Sequence, residues 1–357
     1  MNNNKINLCV IFGGRSSEYE VSLLTAYSII TNADREKYDI TTLGITPNGQ
    51  WMLYEGDPEC IRDGTWRDHP ECLTSAYITP DRGLYAILTR DGRAIYIDVV
   101  FPAVHGEYSE DGRLQGLLEL VGIPFVGSGT KASAAAMDKA TTKALISLTD
   151  VPQAKAVVLT KESMKALAEV EQRVESELGY PVFVKPSSAG SSVGVSKVKC
   201  REELLPAVEK ALKTDPQRVL IEEFIDGREI EVAVIGNDDP IASVCGEIDP
   251  GAEFYDYDTK YKNDTASYYI PARLPDEISS KVREWARKVY VTLGAQGLSR
   301  VDFFVKADGG IIFNEINTLP GFTSISMYPK LICESGMTYP QVIDRLIELA
   351  FDAQSKR

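Results

Sequence analysis

Arg300-Val301-Asp302-Phe-Phe-Val305, then after a short turn Gly310-Ile-Ile-Phe-Asn314-Glu315-Ile-Asn317-Thr-Leu-Pro320-Gly321, reads as two adjacent strands. The pair directs Asp302, Glu315 and Asn317 toward one point with Arg300 beside them. Hard oxygen ligands of this kind suit Mg²⁺, which is usually held by one or two carboxylates together with nucleotide phosphates. The direct reading is a metal–nucleotide site. Oxygen-bearing side chains are also common on any solvated sheet face, so the rest of the chain has to carry the argument.

A chain of 357 residues exceeds the size at which one core stops growing, so two or three domains are expected. Its 44% hydrophobic and 25% charged residues are ordinary for a folded protein. The net charge of −14 argues against nonspecific attraction to nucleic acid or an anionic membrane, so any polyanion must be gripped locally. Met1-Asn-Asn-Asn-Lys5 runs straight into Ile6–Phe12, unlike a secretory signal, and no apolar run reaches membrane-spanning length; the expectation is a cytoplasmic protein. The six cysteines are scattered without a Cys-x-x-Cys pair, which indicates neither zinc nor a disulfide framework.

Asn7–Phe12 reads as a buried parallel strand, Gly13-Gly14 as a turn and Ser16-Ser17-Glu18 as the cap of a helix carrying Val21, Leu24 and Ile29. Ile40–Ile45 and Ile95–Val104 add strands, followed by helix Leu114–Val121 and a short strand at Pro124-Phe-Val. An open α/β domain over about residues 1–127 follows, with hairpins or surface insertions between Asn48 and Arg93. The next segment, 128–222, reads as a small α+β domain. It holds helix Lys131–Leu148, a strand near Ala156–Leu159, a helix through Met164 to Leu178, strand Pro181–Lys185, helix Glu202–Leu212 and strand Val219–Glu222. The last part, 223–357, has strands Glu229–Ile235, Ile241–Gly246, Arg300–Val305 and Gly310–Asn314, plus a helix from Pro275 to Leu293 whose Ile278, Val282, Trp285 and Val289 stripe faces the core.

Between two strands, Pro186-Ser-Ser-Ala-Gly190-Ser191-Ser192-Val-Gly194 offers backbone N–H groups to an anion, and glycine lets the backbone approach a phosphate. It lacks the Lys-Ser/Thr ending of a P-loop, so a plain hairpin loop is the alternative. Lys139, and Lys185 at the end of an apolar strand, are placed to reach a buried anion. In Ile221-Glu222-Glu223-Phe224-Ile225-Asp226-Gly227-Arg228-Glu229 an apolar strand turns into a second one; such a segment can present backbone groups to an adenine edge and a carboxylate to ribose, or simply be a solvated turn.

Six segments in order resemble D-alanine:D-alanine ligases of the ATP-grasp superfamily over essentially the whole chain. They are Gly13-Gly14-Arg-Ser-Ser-Glu18-Tyr-Glu-Val21-Ser22, His105-Gly106 with Glu110-Asp111-Gly112, Met137-Asp138-Lys139, Lys185-Pro186 with Gly190–Gly194, Phe254–Tyr261, and Asn314–Ser326. The resemblance implies a three-domain ATP-grasp fold of α/β and α+β parts, with an N-terminal Rossmann-like pre-ATP-grasp domain, a central lid domain and ATP between the last two domains. It implies Asp302, Glu315 and Asn317 as ligands of two Mg²⁺ ions, Mn²⁺ being a substitute, and Lys139, Lys185 and Lys260 as phosphate contacts. Ser191 and Ser192 would lie over the phosphates, Glu222 with the backbone of Glu223 and Ile225 at the adenine edge, and Glu229 on the ribose. Glu18 would hold the first substrate's ammonium, and Glu18, Ser191 and Tyr261 would join three domains and close the site. His105 resembles a residue near the first substrate's carboxylate, with a loop-holding histidine as the alternative. An acyl phosphate would form first, and Arg300 with the Gly321 N–H would stabilise the oxyanion when the second amine attacks. A homodimer is implied as well.

Related vancomycin-resistance ligases use D-lactate or D-serine. The D-lactate enzymes lack the Lys-Tyr pair that stands here as Lys260-Tyr261, which favours an amine as second substrate. In Ser324-Ile-Ser326-Met327-Tyr328, Met327 stands where some D-serine ligases carry arginine, and its apolar side chain favours D-alanine, although an apolar pocket rejects an added hydroxyl weakly. The lid sequence Ser187-Ser188-Ala189-Gly190 departs from relatives that carry a charged residue before the glycine. Two other readings are a catalytically idle nucleotide-binding regulator, against which all metal ligands and the loop tyrosine are present, and a nicotinamide dehydrogenase, against which Gly13-Gly14 lacks the Gly-x-Gly-x-x-Gly pattern.

Overall fold

Alternate residues of the first strand, β1 (Ile6–Gly13), feed two different cores. Leu8, Val10 and Phe12 enter one and Cys9 and Ile11 the other, as the two-residue period of a strand requires. A computed structural model describes residues 5–160, 162–190, 193–249 and 267–356. Tyr261 and Lys260, and Ser191 and Ser192, lie outside the described residues.

Among the described residues there are three sheets. The N-terminal one comprises β1, β2 (Tyr38–Ile45), β3 (Trp51–Tyr54), β4 (Leu73–Ile78), β5 (Ala86–Thr89), β6 (Ala94–Tyr96) and β7 (Val99–Ala103), in the order β6-β5-β4-β3-β2-β1-β7. Only β2, β1 and β7 pair in parallel; the stretch after Asn48 forms an antiparallel meander that widens the sheet. Ile95–Val104 is therefore two strands, not one, because the chain leaves the meander after Tyr96 and rejoins the parallel part at Val99. Pro124-Phe-Val contributes a single bridge, Val100 to Phe125.

The central sheet runs β10-β9-β11-β8, from β8 (Ala156–Thr160), β9 (Val182–Pro186), β10 (Ser196–Val198) and β11 (Arg218–Glu223). It encloses its own core of Val157, Val182, Val184, Val208 and Ile221. The C-terminal sheet runs β14-β13-β12-β15-β16, from β12 (Arg228–Gly236), β13 (Ile241–Asp249), β14 (Ser267–Tyr269), β15 (Gly297–Val305) and β16 (Ile311–Asn317). Helix Asp276–Thr292 packs Val282, Val289 and Tyr290 against Phe303 and Phe313 on this sheet.

The N- and C-terminal parts share apolar packing. Ile29 and Leu8 belong to the same core as Phe322, Tyr328, Ile343 and Leu346, and Tyr38 and Lys37 both bond Asp344 of helix Tyr339–Ser355, at 2.7 and 2.6 Å. The central sheet contributes nothing to that shared core.

The expected helix Lys131–Leu148 is two helices, Thr130–Met137 and Lys139–Ile146, broken at Asp138. Asp138 leaves helical geometry and caps the second helix, its carboxylate accepting the Thr141 N–H at 3.0 Å and the Ser187 hydroxyl at 2.7 Å. The break puts Lys139 in the first turn of a new helix, beside the Pro186–Gly194 segment. Among the described residues no helix is long and apolar enough to cross a membrane.

Candidate functional site

On β15 and β16, Arg300 stands opposite Asn317 and Asp302 opposite Glu315, so the four side chains share one sheet face. A bulge creates this arrangement. Phe303 pairs with Phe313 while Asp302 pairs with Glu315, leaving Asn314 as the extra residue. Without it Phe313 and Glu315 would lie on the same face; with it, Phe313 goes to the core and Glu315 joins the acidic face. Asp302 is 1% exposed, and both of its oxygens accept from the Arg300 guanidinium, at 2.8 and 2.7 Å. Glu231 of β12 lies 3.2 Å from the same guanidinium. Burial works against the Arg300 charge, but Asp302 and Glu231 outweigh it and hold the proton far above the ordinary arginine range.

Lys139 Nζ donates to the Ala189 carbonyl at 2.9 Å and lies 3.4 Å from Glu315. The base of the glycine–serine loop is fastened to the same helix start, since Lys139 N–H donates to the Ser187 carbonyl at 2.9 Å and Ala140 N–H to the Ser187 hydroxyl at 3.1 Å. Lys185 forms an ion pair with Glu222, and Lys143 Nζ comes within 2.6 Å of the other carboxylate oxygen, off the hydrogen-bond axis. Burial raises the Glu222 carboxyl, but the two lysines more than offset it and hold it below the usual range. Lys185 likewise loses proton affinity to burial and regains more from Glu222.

These groups border a cavity of about 520 Å³ between the central and C-terminal sheets. Lys139, Lys185, Glu222 and Glu315 line one end; Phe183, Phe224 and Ile225 give it apolar walls; and Glu223 at the end of β11 and Glu229 near the start of β12 also border it. Its size suits a nucleotide-sized ligand. The predicted Lys139, Lys185, Glu222, Glu223, Ile225, Glu229 and Glu315 thus converge on one space, with Asp302, Asn317 and Arg300 on the adjoining face. Lys143 was not singled out from sequence, although it lies one helical turn after Lys139, on the same face.

Glu18 precedes helix Tyr19–Asn32 and is 8% exposed. A side chain at Gly106 would come within 2.6 Å of its carboxylate and one at Gly190 within 3.1 Å, so glycines of two loops close on it. Glu110 is buried nearby. One of its oxygens accepts the Gly106 N–H at 3.0 Å and the other has no hydrogen-bond partner among the described residues. Burial, reinforced by the Glu18 charge, pushes the Glu110 carboxyl up to about 8.

His105 uses both ring nitrogens, one 3.0 Å from the Leu319 carbonyl and the other 2.9 Å from the Thr25 hydroxyl. That geometry matches the loop-holding reading rather than a ring turned to a substrate carboxylate. Ser326 Oγ meets Thr323 N–H at 3.1 Å and Thr323 Oγ1 at 2.8 Å, close to Gly321. Met327 corrects an expectation. It is 5% exposed in the core shared by the N- and C-terminal parts, its methyl end packed on Gly246, and does not line the cavity. The start of helix Met327–Glu334 turns it inward, away from Ser326.

A two-sheet clamp around a nucleotide-sized cavity, with lysines at one end and an acidic hairpin face beside it, is the arrangement shared with solved ligases of the ATP-grasp fold. Family models described as "D-ala D-ala ligase N-terminus" and "D-ala D-ala ligase C-terminus" match residues 7–128 and 145–348. A D-alanine–D-alanine ligase of Ruminiclostridium cellulolyticum is 47% identical, the match covering 98% of this chain and 96% of the relative, and one of Caldicellulosiruptor bescii is 46% identical over 99% and 97%. Among solved structures, the VanG D-Ala:D-Ser ligase from Enterococcus faecalis superposes with a TM-score of 0.90 at 40% identity, covering 97% of this chain and all (100%) of the other. The D-alanine-D-alanine ligase from Coxiella burnetii gives 0.86 at 34% identity, covering 99% and 97%. The chain belongs to the D-alanine–D-alanine ligase family.

Proposed function

We propose that this chain joins two D-alanines into D-alanyl-D-alanine with ATP, in the cytoplasm, as a step of peptidoglycan precursor synthesis, and that residues 1–127, 128–222 and 223–357 act as its three units. The observation that carries the reading is the shared face of Arg300, Asp302, Glu315 and Asn317 next to the lysine end of the cavity, in a chain of this family.

A carboxylate is a poor electrophile. Its oxygen attacks the γ-phosphorus, ADP leaves, and D-alanyl phosphate results. Lys139 and Lys185 face the phosphate end, with Lys260 as a further contact; Glu222, the backbone of Glu223 and Ile225, and Glu229 hold adenine and ribose. Two carboxylates and an amide on one face fit Mg²⁺, which takes few protein carboxylates and shares phosphate oxygens, and Mn²⁺ accepts the same ligands. When bound, two such ions neutralise the phosphoryl oxygens.

Glu18 holds the first D-alanine's ammonium, and Ser191 and Ser192 of the loop with Tyr261 close the site against water, which would otherwise hydrolyse the acyl phosphate. The neutral amine of the second D-alanine attacks the acyl carbon. Arg300 and the Gly321 N–H receive the oxyanion, Ser326 borders that substrate, and phosphate departs. A homodimer is part of the proposal, and neither nucleic acid nor membrane is a partner.

A second reading, a D-serine acceptor, draws on the likeness to the Enterococcus faecalis structure. The higher identity to relatives named as D-alanine–D-alanine ligases supports D-alanine instead, and the Lys260-Tyr261 pair supports an amine over D-lactate. Incubating the enzyme with ATP, Mg²⁺, D-alanine and each of D-alanine, D-serine or D-lactate decides it: D-alanyl-D-alanine should dominate. Preferential formation of the D-serine dipeptide or the D-lactate ester overturns the specificity.

A further inference from the structure

Pro320 and Gly321 sit in a segment gripped on both sides by two residues from the N-terminal part of the chain. The Leu319 carbonyl can only accept, so Nδ1 of His105, 3.0 Å away, carries the ring proton. Nε2 is then an acceptor, and the Thr25 hydroxyl donates to it at 2.9 Å. The Thr25 oxygen in turn accepts the Phe322 N–H at 3.5 Å. The circuit leaves the segment at residue 319 and re-enters it at 322, spanning Pro320-Gly321. Thr25 and His105 are 2% and 5% exposed, so water does not compete for these bonds. The same segment is tied to the hairpin face, because Asn317 Oδ1 accepts the Leu319 N–H at 3.0 Å, and Tyr339 donates its hydroxyl to the Phe322 carbonyl.

We propose that Thr25, acting through His105, is a positioning residue for the second half-reaction: the pair forms a strut that fixes the Gly321 N–H where the tetrahedral oxyanion develops. The inference rests on the ligase reading given above. It assigns work to Thr25, which the sequence motifs leave without a role, and makes His105 a part of the scaffold of the oxyanion donor. Burial lowers the proton affinity of His105 while Glu18 and the Leu319 carbonyl oppose that, and a neutral ring preserves the donor–acceptor order of the strut.

Two half-reactions separate this role from general scaffolding. Acyl-phosphate formation alone is read by scrambling of ¹⁸O from the β,γ-bridge of ATP in the presence of Mg²⁺ and D-alanine, and the full reaction by dipeptide release. Thr25→Val removes the hydroxyl at constant shape. It should lower kcat for dipeptide about 10–100-fold, as expected for a misplaced reactive geometry, while the scrambling rate and the KM for ATP change less than about twofold; Thr25→Ser should restore kcat. Thr25→Ala serves if the valine variant folds poorly. Wild-type dipeptide turnover in the variant, or equal loss in both half-reactions, overturns the strut. Absence of scrambling and dipeptide in the wild-type enzyme overturns the ligase reading itself and is distinguishable from either.

Discussion

Arg300 and Asp302, two residues apart on β15, are locked together by parallel hydrogen bonds of 2.8 and 2.7 Å from one guanidinium to one carboxylate. Fork-to-fork pairing fixes both orientation and charge, and here it does so on the face where Glu315 and Asn317 also stand.

Breaking that pair should separate chemistry from folding. Asp302→Ala removes the bidentate partner of a buried guanidinium and should cost about 3–5 kcal/mol of stability, as removal of one partner of a buried pair does. Glu315→Gln keeps the shape and should cost little stability, yet both should lower phosphoryl transfer by about 100-fold or more. ADP release and thermal unfolding, measured on the same preparations, check this; full turnover in both variants excludes the metal-ligand assignment.

Lys143 supports Lys185 through Glu222. Replacing it with Met leaves Glu222 with a single cation, which raises the carboxyl toward protonation and draws Lys185 more firmly into the remaining ion pair. ATP affinity should fall about 10-fold, in line with one charge-assisted contact weakened, with little change in the KM for D-alanine. Titration calorimetry with ATP and steady-state kinetics read the two effects separately.

Glu110 gives a pH signature. Its carboxyl ordinarily titrates at 4.5 and in the folded chain is pushed up to about 8 by burial and then Glu18. The folded state therefore binds a proton that the unfolded state has released, and this group's contribution to stability declines as pH rises from about 4.5 to about 8. Glu110→Gln keeps an oxygen for the Gly106 N–H and removes the titration. Its Tm, relative to wild type, should be higher at pH 8 than at pH 5, at about 2–4 °C per kcal/mol. The same Tm difference at both values contradicts the assignment.

Met327 and Gly246 should be energetically coupled. A Cβ at Gly246 would lie 2.4 Å from the Met327 methyl and 2.8 Å from Leu331, so Gly246→Ala should cost about 1–3 kcal/mol by overpacking. Met327→Ala vacates part of that space, and the double variant should be more stable than the sum of the two single effects. Denaturant midpoints of the four proteins close the cycle, and strict additivity refutes the contact.

The hairpin face was legible because two short strands around a tight turn are local in sequence; Arg300, Asp302, Glu315 and Asn317 needed no distant partner to be found. The bulge at Asn314 was not, since the inward turn of Phe313 and the outward turn of Glu315 break simple alternation. Asp138 hid the helix break because the flanking alanines and lysines favour one continuous helix, although Asp138 three residues before Thr141 is a capping signal in retrospect. The Thr25–His105–Leu319 strut joins residues 80 and 214 positions apart, and no local pattern encodes such a meeting. Met327 was read from its neighbours in sequence, whereas the rotation of helix Met327–Glu334 decides which way it faces.

The central claim is that a D-alanine carboxylate is phosphorylated before it is joined to an amine. D-alanine labelled with ¹⁸O in its carboxylate, turned over with ATP and Mg²⁺, tests it directly by mass analysis of the released phosphate. Transfer of one labelled oxygen to phosphate for each dipeptide formed is the predicted result; dipeptide accompanied by unlabelled phosphate contradicts the account.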